Sequence, residues 1–392
     1  MSADQRRARL ARRHHLAPSC RVEGPLAVAR ELLGLHGSEA PTAFLSAWAR
    51  TRSMTVADLQ QAMYDDRTLV KQLAMRRTLF VVPRESLDVV QGAVGDRIAA
   101  AERRSLARAV QRAGLAEDGA RWFDEAAAAV LAALADGREA TSAQLRAEIP
   151  ALQVTMPYGQ GTAWPGRAPV APNVLNALAA AGQVARAHNL GTWTVSRPTW
   201  TSMRSWIGRD LEPLPEAEAM AVLVGRWLRA FGPGTERDLR WWFGSTLGRV
   251  RAALAELGAV PVAVDAGTGY LLPDDLEPMP PVEPWAALLP ALDVTTMGWA
   301  DRDWYLGAHR RLLFDGNGNA GPTAWWEGRV VGGWHQVPSG EVVLDLLEDV
   351  DPAGLRGLEE EAGRLTDWLA GVHVPSSLTT PLGRRRRPRT RR

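Results

Sequence analysis

The sequence predicts an α+β chain of repeated helical modules with short hairpins, followed by a small β-barrel-like domain. Three observations predict it: a helix-start motif that occurs three times, β-prone runs behind it, and a change of character after residue 280. The motif reads Thr55-Val56-Ala57-Asp58-Leu59, then Thr141-Ser142-Ala143-Gln144-Leu145, then Thr235-Glu236-Arg237-Asp238-Leu239. A threonine just before a helix accepts from the amide three residues on, and a polar side chain there reaches back to the threonine amide. The leucine then opens the buried face.

In the first copy a second helical stretch is expected through Leu69, Val70 and Leu73, with a strand from Thr78 to Val82. In the third, Leu247, Val250, Leu254 and Leu257 recur at helical spacing before a strand from Val260 to Val264. From the cap threonine to the first apolar strand residue is 24 residues in the first copy (Leu79) and 25 in the third (Val260). In the second copy Val174, Leu175 and Leu178 lead to a strand from Gln183 to Arg186, with its first apolar residue, Val184, at a distance of 43. Residues 151–169, rich in Gly and Pro, read as a 19-residue insertion that accounts for the excess. Gln183–Arg186 followed by Gly191–Val195, and Val260–Val264 followed by Tyr270–Leu272, read as hairpins. Helix, turn, helix, hairpin is the winged-helix plan, in which the second helix enters a major groove and the hairpin touches the backbone.

Pro278, Pro280, Pro281 and Pro284 mark a linker. Beyond it come β-like runs at Ala286–Leu289, Thr323–Trp326, Arg329–Gly333 and Glu341–Leu347, with a turn at Asp315–Asn319. This reads as a barrel-like domain. A helix from about Asp351 to Leu369 follows, with Leu355, Leu358, Ala362, Leu365 and Leu369 on one face. The expected organisation is a disordered basic arm (1–15), a first winged-helix module with a candidate catalytic loop (16–100) and a second with the insertion (101–210). A third module (211–277), a β domain with its helix (278–383) and an Arg-rich tail (384–392) complete it.

Composition narrows the function. The chain has 392 residues, 46% hydrophobic and 23% charged, as soluble globular proteins do. It has no apolar run long enough to span a membrane. No apolar stretch follows the arginines of residues 6–13, so no secretory signal is expected, and a cytoplasmic location fits. A single cysteine, Cys20, excludes a disulfide framework and a multi-cysteine zinc site. His14 and His15 lie in the basic arm and the other five histidines are scattered, so neither a metal nor another cofactor is expected. The net charge of +2 hides an asymmetry: twelve arginines sit in the two tails, and between them 43 acidic residues face 34 basic ones. The tails read either as electrostatic arms for phosphate backbones or as solvated ends. Lys71 is the only lysine. Arginine suits phosphates, although a biased genome would give the same usage. Gly316–Gly321 lacks the lysine and the strand–helix setting of a P-loop.

The segment most suggestive of chemistry lies in the first 50 residues. A helix is expected from Pro25 to Leu35, then a polar loop His36-Gly37-Ser38-Glu39-Ala40-Pro41-Thr42, then a helix with Phe44, Leu45, Trp48 and Ala49 on one face. In an extended segment His36 and Ser38 point to the same side, with Glu39 adjacent. A neutral histidine accepts a proton near pH 7 and a serine hydroxyl positions water. A histidine at a helix end also serves simply as a cap or sits in solvent.

Residues Leu35 to Arg50, Met75-Arg76-Arg77-Thr78-Leu79-Phe80-Val81-Val82-Pro83 and Gly318-Asn319-Ala320-Gly321-Pro322-Thr323-Ala324-Trp325-Trp326 together resemble the AlkZ/YcaQ-type DNA glycosylases. The resemblance spans roughly residues 10–372. It implies three tandem winged helices and a C-terminal β domain, C-shaped around duplex DNA, in a protein that unhooks alkylated and crosslinked bases. Characterised members carry Gln-x-Gln or Gln-x-Asp where this chain has His36 and Ser38. The resemblance implies a monofunctional glycosylase, with His36 orienting or deprotonating water, Ser38 as its hydrogen-bond partner and Glu39 stabilising charge. The expected partner is duplex DNA, bound by a monomer with no membrane association. Lys71, Arg76 and Arg77 are candidate phosphate contacts, Asn317 and Asn319 form a tip that reaches a groove, and Trp164 is a candidate wedge. The alternative is a non-catalytic winged-helix DNA-binding protein or regulator.

Overall fold

A computed structural model describes residues 1–159, 161, 165–376 and 378–386. These fall into two compact units, one from residues 1–62 and 221 onward, the other from residues 63–220. The first 62 residues form α1 (Ala3–Arg13), α2 (Gly24–Glu31), β1 (Leu35–His36), α3 (Ala40–Trp48) and α4 (Val56–Gln60). The second unit opens with an antiparallel pair, β2 (Leu69–Leu73) and β3 (Leu79–Pro83), with Val70 opposite Val82. There follow α5 (Leu87–Val90), α6 (Asp96–Arg112), α7 (Gly119–Ala133), β4 (Ala140–Thr141) and α8 (Ser142–Glu148). A hairpin of β5 (Thr155–Tyr158) and β6 (Gly166–Pro169) fills the expected insertion. Then come α9 (Ala171–Ala180), β7 (Val184–Asn189), β8 (Pro198–Ser202) and α10 (Met203–Ile207), in a sheet of order β4–β8–β7. Leu106, Val110, Phe123, Val130, Leu145, Val174 and Leu178 fill this unit's core.

Helix α11 (Glu216–Phe231) leads back to the first unit. Strand β9 (Gly234–Thr235), helices α12 (Glu236–Phe243) and α13 (Leu247–Glu256), and the hairpin β10 (Val260–Val264) and β11 (Gly267–Leu271) form a sheet of order β10–β11–β9. The chain continues through β12 (Ala286–Leu289), α14 (Asp303–Leu306), α15 (Arg310–Leu313), β13 (Thr323–Trp326), β14 (Arg329–Gln336), β15 (Val342–Leu346), α16 (Pro352–Leu369) and α17 (Pro381–Arg386). An aromatic cluster anchors this unit: Phe231 lies 5.0 Å from Trp242 and 5.4 Å from both Trp227 and Trp299.

All three threonine motifs form reciprocal capping boxes. The threonine amide donates to Asp58 at 2.7 Å, to Gln144 at 2.8 Å and to Asp238 at 2.9 Å, so the shorter aspartate suffices. Other expectations are corrected. Residues 69–73 are strand, not helix: the Leu69-Val70…Leu73 spacing matches one helical turn, but the segment pairs along its whole length with β3. The helix expected to reach Leu35 stops at Glu31, because Leu33 and Gly34 take positive φ and turn the chain into β1. Gly191–Val195 is a loop, and the second hairpin strand is β8. The Asn189 side chain donates to the carbonyls of Gly191, Thr192 and Val195 and accepts from the Arg197 amide, which fixes that loop.

The C-terminal sheet is not a barrel. Its order is β12–β13–β14–β15, with β12 and β15 as open edges, and no closed barrel occurs among the described residues. Four short strands are too few to close, and α16 covers one face instead. A Cβ at Gly354 would lie 2.8 Å from Trp326, so this approach requires glycine. The 1–15 segment is not a disordered arm either. Arg9 pairs with Asp275 at 2.9 Å and donates to the carbonyls of Asp275 and Glu277, Arg13 pairs with the same carboxylate, and Arg6 lies 4.0 Å over the Trp304 ring. His14 is buried, stacked on Trp299, its Nδ1 2.6 Å from the Thr295 hydroxyl and its Nε2 3.2 Å from the Ala230 carbonyl. Burial holds its pKa well below the ordinary 6.5, so it is neutral and donates through Nε2. Every partner lies more than 200 residues away, which is why composition alone suggested a solvated tail.

Candidate active site

His36 ends β1, and the loop from there to α3 carries Ser38 and Glu39. Its α3 end is fixed firmly. Thr42 donates to the Ala291 carbonyl at 2.9 Å, and Ser46 donates to Asp293 at 2.6 Å. Arg50, just past the end of α3, grips both carboxylate oxygens of Asp293 at 2.9 and 2.7 Å, and both side chains are fully buried. Nearby, Arg364 lies 3.8 Å over Trp48, and the Trp368 indole donates to the Met54 carbonyl at 2.5 Å. Helix α3 is therefore bolted to the segment after β12 and to α16, and the loop inherits that rigidity.

His36 and Ser38 differ in exposure. His36 is 2% exposed, whereas Ser38 is exposed and Glu39 half-buried. The Ser38 amide donates to His36 Nδ1 across 3.5 Å, a long contact that curls the loop over the ring. Glu39 opens into a pocket of about 360 Å³ whose lining includes Thr42, Trp334, His335, Gln336 and His373. A short strap closes one side. Gln336 accepts from the Val374 amide at 2.8 Å and donates to the Val372 carbonyl at 3.0 Å, which holds residues 372–374 in place. Ser376 then donates to Glu39 at 3.3 Å. His335 Nδ1 lies 2.8 Å from Asp345, so the carboxylate fixes the imidazole.

The pocket thus combines a half-buried carboxylate with an oriented imidazole, groups suited to holding water and stabilising positive charge. His335, Asp345 and His373 went unrecognised in the sequence. Strand β14 runs three residues past its expected end, and the strap packs back from nearly 340 residues beyond Glu39. Among the described residues no group of three His, Cys, Asp or Glu is placed to hold a metal ion, and no helix is long and apolar enough to cross a membrane.

The binding candidates scatter. Lys71 is half-buried on β2. Arg76 and Arg77, in the β2–β3 connection, both take left-handed φ, near +55° and +60°, and Arg77 pairs with Glu102 while staying largely exposed. Asn319 is occupied by its own turn: its amide nitrogen and side chain both donate to Asp315. Asn317 is exposed at the tip. Trp164 lies outside the described residues.

An α+β chain of this element order, with a rigid acidic loop beside a pocket, matches the family model described as DNA glycosylase AlkZ-like over residues 29–368. The chain belongs to the AlkZ-like DNA glycosylase family. Its fold is similar to that of Streptomyces sahachiroi DNA glycosylase AlkZ, with a TM-score of 0.75 and 22% identity over 96% of this chain and 98% of that one. No curated protein sequence matches it.

Proposed function

We propose that this chain is a monofunctional DNA glycosylase that binds duplex DNA and hydrolyses the N-glycosidic bond of alkylated or crosslinked purines. The observation that carries the reading is the loop of residues 36–39, which lies inside the family match and presents Glu39 to a pocket on a rigid mount. Residues 216–271 run helix, short strand, helix, helix, hairpin, and residues 119–202 do the same once the inserted β5–β6 hairpin is set aside, which supports reading both as winged-helix modules. The left-handed Arg76 and Arg77 fit a DNA-facing turn, since strain of this kind collects at functional sites.

A purine alkylated at N7 or N3 is cationic and leaves without protonation. The remaining work is to stabilise an oxocarbenium-like sugar and bring water to C1′, as in glycoside hydrolysis. Glu39 supplies the negative charge. Ser38 holds the water from the exposed side, and His36 orients it through the loop whose amide it accepts and takes the proton that the water gives up on bonding to C1′. Because Asn319 is used by its turn, Asn317 is the better groove contact of the two. One specific observation favours the alternative, a DNA-binding protein without catalysis: His36 is buried where a water base needs access.

The test is a panel of duplexes carrying one N7-methylguanine, one N3-methyladenine or one N7–N7 crosslink, scored for released base by mass spectrometry. Release from any of them supports the glycosylase reading. Tight binding to all with no release supports the alternative.

A further inference from the structure

Two cations in residues 63–220 sit on contacting strands, and neither has a carboxylate partner among the described residues. Lys71 lies on β2 and Arg186 on β7, and these strands are in contact. Arg186 is 9% exposed. Its guanidinium lies 4.6 Å over the Trp200 ring, and its Nη2 donates to the Asn176 side chain at 2.5 Å. That leaves Nη1, which is buried and has no hydrogen-bond partner among the described residues. Among the buried arginines, Arg9 has Asp275 and Arg50 has Asp293, whereas Arg186, like Arg6 and Arg302, rests on an aromatic ring without an ion pair. Burial, and then the charge of Arg186, push the Lys71 ammonium down from 10.5 to about 8, and no carboxylate offsets either effect.

Buried cations are ordinarily paired, and a buried donor without an acceptor is costly. The arrangement is what an oxyanion would complete. A guanidinium fork already fixed by a ring and an amide loses little freedom on binding, and an ammonium beside it supplies a second, adjustable donor. We propose that Lys71 and Arg186 together form a binding site for a phosphate group, supplied by the backbone of duplex DNA. The choice of DNA as the source rests on the glycosylase reading; the site itself does not. A phosphodiester carries one negative charge and two free oxygens, one for Nη1 and one for the ammonium. Lys71 thereby gains a partner that the sequence did not reveal, because Arg186 stands 115 positions away in the chain.

Lys71 is the only lysine, so acylation of the full chain reports it directly. Pulse acetylation at pH 8, followed by mass spectrometry of the peptide carrying Lys71, is run with undamaged duplex, with inorganic phosphate, and with chloride at equal ionic strength. Duplex at saturating concentration is expected to slow acetylation at least tenfold, and chloride not at all. Arg186→Gln is expected to abolish that protection. In duplex binding, Lys71→Gln should lower the slope of log affinity against log salt by about one, while Lys71→Arg retains it. Protection by inorganic phosphate without protection by duplex upholds the site and assigns it to free phosphate. If wild type binds duplex and neither duplex nor phosphate protects Lys71, the site is refuted and the glycosylase reading stands. If wild type does not bind duplex yet phosphate protects, the DNA reading falls and the site remains. Lys71→Gln removes a cation that has no ion pair among the described residues and strips no acid of its partner, so it is expected to fold.

Discussion

Asp293→Ala strips Arg50 of the carboxylate it holds with both terminal nitrogens. Both side chains are completely buried, so water cannot take the place of the lost acid. Removing one member of a buried ion pair costs about 3–5 kcal/mol. Ser46 and the Thr295 amide, 2.6 and 2.8 Å from Asp293, lose their acceptor in the same step. For a unit of this size each kcal/mol moves the melting temperature by about 2–4 °C, so a fall on the order of 10 °C is expected. Thermal unfolding followed by the fluorescence of the 16 tryptophans measures it. Arg50→Met combined with Asp293→Leu replaces the pair by apolar groups and should recover most of the loss. A fall below 2 °C for Asp293→Ala, or a double variant no better than the single, would refute the reasoning that this pair bolts the loop-bearing helix to the segment after β12.

Three further predictions follow from other sites. The folded pKa of Lys71, about 8, lies below its ordinary 10.5, so from pH 8 to 10.5 the unfolded chain binds the extra proton and stability rises with pH. The rise attributable to Lys71 is about 3 kcal/mol, and Lys71→Met should flatten it in urea titrations across that range. Among the capping boxes, Asp238→Ala should cost about 2–3 kcal/mol and Asp58→Ala about 1 kcal/mol. Asp238 is buried and also accepts from the Ala300 and Asp301 amides, whereas Asp58 is exposed, and paired denaturation curves compare the two. Glu39→Gln keeps the contact with Ser376 but removes the charge, and single-turnover base release should fall roughly a hundredfold; an unchanged rate would take Glu39 out of the chemistry.

Local signals in the sequence were legible to the residue. The three threonine caps, β10, β12, β13 and the start of α16 at Asp351 each follow from a pattern contained within one element. Long-range pairing was not legible. Leu69–Leu73 has helical spacing and becomes strand because β3 offers a partner five residues further on. The arginines of α1 look like a solvated arm until Asp275 and Trp304 arrive from the far end of the chain. The barrel failed because strand count and helix cover, not strand propensity, decide closure. For the site, the loop of residues 36–39 was visible as a polar break between apolar helices. The pocket wall of His335 and His373 and the strap over Glu39 come from residues about 300 or more positions away.

Single-turnover release of N7-methylguanine from a duplex, with DNA affinity measured in parallel, tests the central claim most directly when wild type is set against Ser38→Ala and His36→Ala. The account predicts that wild type exceeds spontaneous depurination by several orders of magnitude. Both variants should lose at least a hundredfold in rate while keeping affinity within about threefold. A wild-type rate equal to spontaneous loss, across methylated and crosslinked substrates and with duplex binding intact, would contradict it.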